Sequence, residues 1–159
     1  MADALNTGLT AKQRADIAAS LNKVLADSYA LYLKTHGYHW NVRGPNFQSL
    51  HVLLEGQYQE EWAALDDIAE RIRALGELTP MGYGAFGNLS SLKDGNPENE
   101  WEAMLSELKA DNETVIRTLR DAFPVADDAG DEATADLLTQ RLQAHEKHAW
   151  MIRSTLGSK

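Results

Sequence analysis

Apolar positions recur along most of this chain at spacings of three and four, and alternation at period two is sustained nowhere. The pattern therefore predicts helices and almost no strand. Thr10 with Gln13 fits a capping box, in which each side chain satisfies a backbone donor of the other residue. Ile17, Leu21, Val24, Leu25, Ser28, Tyr32 and Thr35 then follow one face, predicting a helix from about 11 to about 38. His39 extends the same inward stripe beyond Gly37. Gly44-Pro45 marks a second start, with Pro in the first turn, and the helix is expected to run to Leu75 with Gly76 as its cap. Asn96-Pro97 opens a third, carrying Trp101, Met104, Leu105, Leu108, Val115 and Leu119 until Phe123-Pro124 stops it. The fourth follows the acidic run DDAGDE and ends at Leu156, before Gly157. Four long helices make an all-α four-helix bundle the economical architecture.

Residues 77 to 95, ELTPMGYGAFGNLSSLKDG, are long and Gly-rich for a simple hairpin between antiparallel helices. They are expected to cross the bundle end to end, with short order around Leu89 to Leu92, although the loop alone does not exclude a plain up-down bundle. No internal repeat or linker interrupts the chain, so residues 1–159 are expected to form one domain with a short tail at 1–9. No apolar run approaches the roughly 20 residues that cross a bilayer, and no secretory leader is visible, so the expected location is the cytoplasm.

Composition narrows the chemistry. Zero cysteines exclude disulfides, thiolate zinc sites, iron–sulfur clusters and a cysteine nucleophile, leaving His, Asp and Glu as the strong metal ligands. A net charge of −9 opposes general attraction to phosphate backbones and favours cations. Five candidate ligands fall between residues 34 and 76: His39, His51, Glu55, Asp66 and Glu70. Mixed imidazole and carboxylate donors suit iron, manganese and zinc. Asp66 and Glu70 taken alone would read as a solvated helix face or as helical ion pairs. Together with the histidines they form one stripe, yet Glu55 and Asp66 stand about 16 Å apart along a helix rising 1.5 Å per residue. One chain therefore does not close the site. Two copies of the second helix, packed antiparallel about a twofold near Gln59 to Glu61, would bring His51 and Glu55 of one chain against Asp66 and Glu70 of the other. His39 then adds a nitrogen beside His51, and the operation makes two identical sites.

Bundles with an intrachain dimetal site carry Glu-x-x-His pairs, and no histidine here has Glu three residues before it. His36 reads as packed or supporting, and His145 and His148 as hydrogen-bonded interface or surface histidines. At His39-Trp40-Asn41, Gly44-Pro45-x-Phe47, Leu50-His51 and Asp66-x-Ile68-Ala69-Glu70-Arg71 the chain closely resembles the Dps family, the miniferritins also described as DNA-binding proteins from starved cells. The likeness extends more weakly to Asp131-Glu132-Ala133-Thr134-Ala135-Asp136 and His148-Ala149-Trp150.

The resemblance implies a ferritin-like fold and a homododecameric shell. It also implies ferroxidase activity: ferrous iron bound at twofold interfaces is oxidised, preferentially with hydrogen peroxide, and stored as ferric mineral. The five-residue set would be its ligand site, with Glu55 standing where many members place Asp. Trp40 beside His39 could quench or relay a radical, although packing is an equally good account of it. The resemblance puts an acidic pore near Asp127, Glu132 and Asp136, a stretch that is otherwise a solvated loop and helix start. Glu60 and Glu61 could face a cavity and seed mineral, the direction of each being open. The first fourteen residues hold Lys12 and Arg14 against Asp3, and the C-terminus offers Lys159 after Arg153, so DNA binding is expected to be weak or absent. Two competing readings are a nucleoid-binding stress protein without significant iron oxidation and a metal-free helical oligomer.

Overall fold

The computed structural model describes residues 5–157, which fold into five helices with no strand among them. Helix α1 spans Ala11–Asn41, α2 Phe47–Ala74, α3 Tyr83–Leu89, α4 Trp101–Asp127 and α5 Glu132–Thr155. The Thr10 capping box forms as read, with Gln13 N–H donating to the Thr10 hydroxyl oxygen at 3.2 Å and Thr10 N–H to the Gln13 side chain at 2.9 Å. The inward stripe of α1 is the core: Ile17, Leu21, Val24, Leu31 and Tyr38 are buried against Leu50, Leu54, Ile68 and Ile72 of α2 and Leu105, Leu108, Val115 and Leu119 of α4. Burial of each such side chain stabilises the fold by about 1.5–3 kcal/mol, which sets which face of each helix turns inward.

Several boundaries differ from the sequence reading: α1 runs on to Asn41 rather than ending near 38, and α2 begins at Phe47, so that Pro45 precedes the helix instead of sitting in its first turn. Asn96-Pro97 forms a turn, with Asn96 Oδ1 accepting from Glu98 N–H at 3.0 Å, and α4 itself begins at Trp101. Pro124 does not stop α4, which continues to Asp127. A proline in the last turn forfeits one backbone bond, and the turn is retained because Ala126 is fully buried and Asp131 N–H donates to the Ala126 carbonyl at 2.9 Å. The short order of the long connection lies at α3, upstream of Leu89 to Leu92.

That connection does cross the bundle. Arg43, at the α1–α2 turn, pairs with Glu100 at the start of α4 at 3.0 Å, so α4 starts at the end of the molecule where α2 starts. The plain up-down alternative is thereby excluded. Asp27, fully buried on α1, clamps the crossover: it accepts from Ser91 N–H at 2.6 Å, Ser90 Oγ at 3.1 Å, Thr118 Oγ1 of α4 at 2.7 Å and Lys23 Nζ at 3.1 Å. Gly95 lets the crossover touch Tyr38, since a Cβ there would stand 2.7 Å from the phenolic oxygen. At the other end of the bundle Arg71 holds both oxygens of Asp131, at 2.8 and 2.9 Å, tying α2 to the start of α5. Residues 5 to 9 are more than a tail: Leu9 packs on the core, and its carbonyl accepts from Arg14 Nη1 at 2.7 Å. Residues 1–4 lie outside the described residues. No described helix is long and apolar enough to cross a membrane.

Candidate metal centre

Val42 leaves the helical conformation at φ −60°, ψ 138°, and Gly44 takes φ 112°, a left-handed value that favours glycine. This tight turn folds α2 back along α1 and sets His39, near the end of α1, over His51, in the second turn of α2. The rings stack with centroids 3.7 Å apart and planes 20° from parallel. His39 Nδ1 meets the His51 carbonyl at 2.9 Å, and His51 Nδ1 meets the His39 carbonyl at 2.9 Å. A carbonyl only accepts, so both Nδ1 atoms carry the proton and donate. Each neutral ring then keeps its lone pair on Nε2, the tautomer that a metal-binding histidine held by a backbone carbonyl presents. The chemistry of the donors therefore fits a transition-metal ion.

Aromatic rings wall this pair. Tyr58 meets His39 edge-on at 5.1 Å and stacks on His36 at 3.8 Å, and Phe47 packs on His51 at 5.1 Å. His36 is anchored by the Tyr32 hydroxyl at 3.0 Å, and burial, followed by the neighbouring His39, pulls its pKa below the ordinary value. It is a packed group, in line with the packed or supporting role read from the sequence. Trp40 packs on His36 at 4.2 Å and is 66% exposed, so its indole faces outward from the bundle.

Glu55 lies one turn beyond His51 and is partly exposed, whereas Asp66 and Glu70 are exposed further along α2. No three of the five candidate ligands converge within one chain among the described residues. Their shared face of α2 also carries Val52 and Trp62, 59% and 60% exposed. Single exposed apolar residues are ordinary, but a band of them interleaved with ligand-type side chains is the composition of a contact surface. Asp127, Glu132 and Asp136 are all exposed around the α4–α5 corner. Asp131, between them, is buried and serves as the cap of α5.

A second cluster was misread in the sequence. His145 and His148 are buried rather than superficial, and Glu61 of α2 lies against them inside the bundle. Glu60, partly exposed, is engaged by Arg141. The available signals were the spacing of His145 and His148 by one helical turn and the position of Glu61 on the same inward face as Leu54, Leu65 and Ile68.

The bundle, its crossover and the histidine corner define a ferritin-like helical protein, and the chain matches the Ferritin family, described as a ferritin-like domain, over residues 18–158. It is 36% identical over 140 residues to the DNA protection during starvation protein of Brevibacillus brevis, covering 88% of this chain and 94% of that one. It is 42% identical over 152 residues to a low temperature-induced protein of Nostoc sp., covering 94% and 85%. The Dps protein of Vibrio cholerae O1, described as a member of the ferritin-like diiron-carboxylate proteins, superposes with a TM-score of 0.92 at 29% identity, covering 98% of this chain and 99% of that one. DpsC from Streptomyces coelicolor superposes with a TM-score of 0.93 at 30% identity, covering 97% and 91%. The chain belongs to the Dps family of ferritin-like proteins. Its functional class is iron storage or stress protection.

Proposed function

We propose that this protein is a cytoplasmic miniferritin that oxidises ferrous iron, preferentially with hydrogen peroxide, at sites shared between subunits, and stores the ferric product inside a shell of twelve. The observation that carries this reading is the reciprocal hydrogen bonding of His39 and His51, which leaves two Nε2 lone pairs side by side at a molecular edge. Glu55 completes one half-site. The other half is Asp66 of the partner subunit and Glu70 of the partner subunit, brought in by a twofold that buries Trp62.

Iron is the substrate. The imidazoles and carboxylates hold Fe(II), and the carboxylates favour the harder Fe(III) once it forms. Two ferrous ions surrender one electron each, the peroxide O–O bond breaks, and its oxygens leave as water or hydroxide without a free hydroxyl radical. His39 and His51 keep their Nδ1 protons on backbone carbonyls throughout, so the rings are held in place as the iron changes charge. Trp40, exposed beside the site, is positioned to intercept a stray oxidising equivalent. Asp127, Glu132 and Asp136, gathered at a threefold, give a negative path for entering cations.

Strong DNA binding is not part of this reading. Lys12 is paired with Asp16 at 2.6 Å and Arg14 is buried, so the two cations near the N-terminus are already engaged. Lys159 lies outside the described residues. The test of the site is anaerobic loading with Fe(II) followed by peroxide, reading ferric absorbance and particle mass for the native protein and a His39→Ala, His51→Ala variant. The variant should lose most oxidation, and equal oxidation by both would overturn the site.

A further inference from the structure

Inside the bundle, Glu61 of α2 is 1% exposed and neither of its carboxylate oxygens has a hydrogen-bond partner. Its nearest charge-matching group is His148 Nδ1 of α5 at 3.7 Å, itself buried and without a hydrogen bond. His145, one turn earlier and fully buried, offers a third donor, and one ligand atom from each of the three lies within 4.8 Å of the others. An ionised carboxylate left bare in an apolar interior costs several kcal/mol, so this arrangement requires either a proton or a cation.

The surrounding groups favour the cation. Arg141 and Glu60 make a two-pronged ion pair, which neutralises both and leaves Glu61 as the unmatched acid. His145 Nδ1 donates to Asn112 Oδ1 at 3.0 Å, so its lone pair sits on Nε2, where it accepts from Arg141 Nη2 at 3.2 Å. Arg141 can release that contact and keep Glu60 as its counter-ion. With Nδ1 committed to Asn112, His145 Nε2 is the ring atom that faces the cluster as a ligand. Two donors each about 2.0–2.2 Å from a tetrahedral ion stand about 3.4 Å apart, close to the separation of Glu61 and His148.

We propose that Glu61, His145 and His148 form a second metal site within each subunit, binding a divalent transition-metal ion independently of dimerisation. Two imidazoles and one carboxylate are a donor set that zinc and ferrous iron both accept, with a coordination position left for water. None of its residues belongs to the His39 and His51 centre, and its two faces come from α2 and α5 of a single chain.

The test uses the assembled, metal-stripped His39→Ala, His51→Ala protein, in which the intersubunit centre is disabled, titrated with Co2+ and then gel-filtered. One Co2+ per subunit should be retained, with visible d–d absorption. Adding Glu61→Gln, which keeps shape and removes charge, or His148→Gln should weaken binding at least about tenfold. Circular dichroism checks that each variant is folded. Failure of the His39→Ala, His51→Ala protein to retain Co2+ would overturn the proposal without any bundle substitution, as would undiminished retention with Glu61→Gln. Iron oxidation is read separately, so a failure of the intersubunit ferroxidase reading would leave this outcome distinguishable.

Discussion

Single side chains in this protein are set by what their neighbours donate or withhold. Asp131 is an instance outside the two proposed metal centres. Burial alone would raise its pKa, but hydrogen bonds from Thr134 and the Arg71 guanidinium outweigh that and hold the carboxyl below the usual range. A depressed folded value contributes stability above the unfolded pKa of about 3.9, and the contribution is lost as pH falls through the folded value. Arg71→Met is therefore expected to lower the unfolding midpoint near neutrality, with the gap to the native protein narrowing as pH falls below the ordinary carboxylate range, as read by thermal unfolding across that range. A gap that stays constant with pH would remove Asp131 as the cause. The sequence shows the acidic run but not that Asp131 alone turns inward, because that depends on Arg71 arriving from sixty residues away.

Among the elements, the crossover decides the topology, and Asp27 is its clamp. Asp27→Ala leaves Ser91 N–H and the Thr118 hydroxyl without their acceptor at roughly 1–3 kcal/mol each, so a loss of about 2–6 kcal/mol is expected in urea unfolding. An unchanged midpoint would mean that the crossover is held by α3 instead. Helix identity and most helix faces were legible from period alone, since burial of Ile17, Leu21, Val24 and their like outweighs every local preference. Ends were less legible. Pro124 stays in α4 because Ala126 is packed, and Asn96-Pro97 makes a turn rather than a helix start; both outcomes are fixed by contacts distant in sequence.

At the scale of the whole molecule, the α2 face that carries Glu55, Asp66 and Glu70 also carries exposed Trp62. A Trp62→Glu variant is expected to fall in mass by light scattering to a monomer and, on the proposed function, to lose peroxide-driven iron oxidation with His39, His51, Glu55, Asp66 and Glu70 intact. A monomer that still oxidised iron at the native rate would break the link between assembly and chemistry. The net charge of −9, with Lys12 and Arg14 already engaged, predicts a second whole-particle property. Purified shell should give no gel shift with duplex DNA at about 0.15 M salt, and a shift that survives that ionic strength would reverse this reading.

The chain by itself determined an all-α fold, a candidate ligand set in which His39 and His51 precede three carboxylates, and the impossibility of closing that set along one helix. These follow from local rules: a period of 3.6, a rise of 1.5 Å per residue, and the donor chemistry of His, Asp and Glu. Tertiary structure decided the rest. Only the folded α1–α2 corner shows that each histidine's Nδ1 is spent on the other's carbonyl, which selects Nε2 as the donor. Only the packing of α5 on α2 turns His145 and His148 inward to meet Glu61, because which way a polar residue at a helix seam points depends on the apolar volume around it.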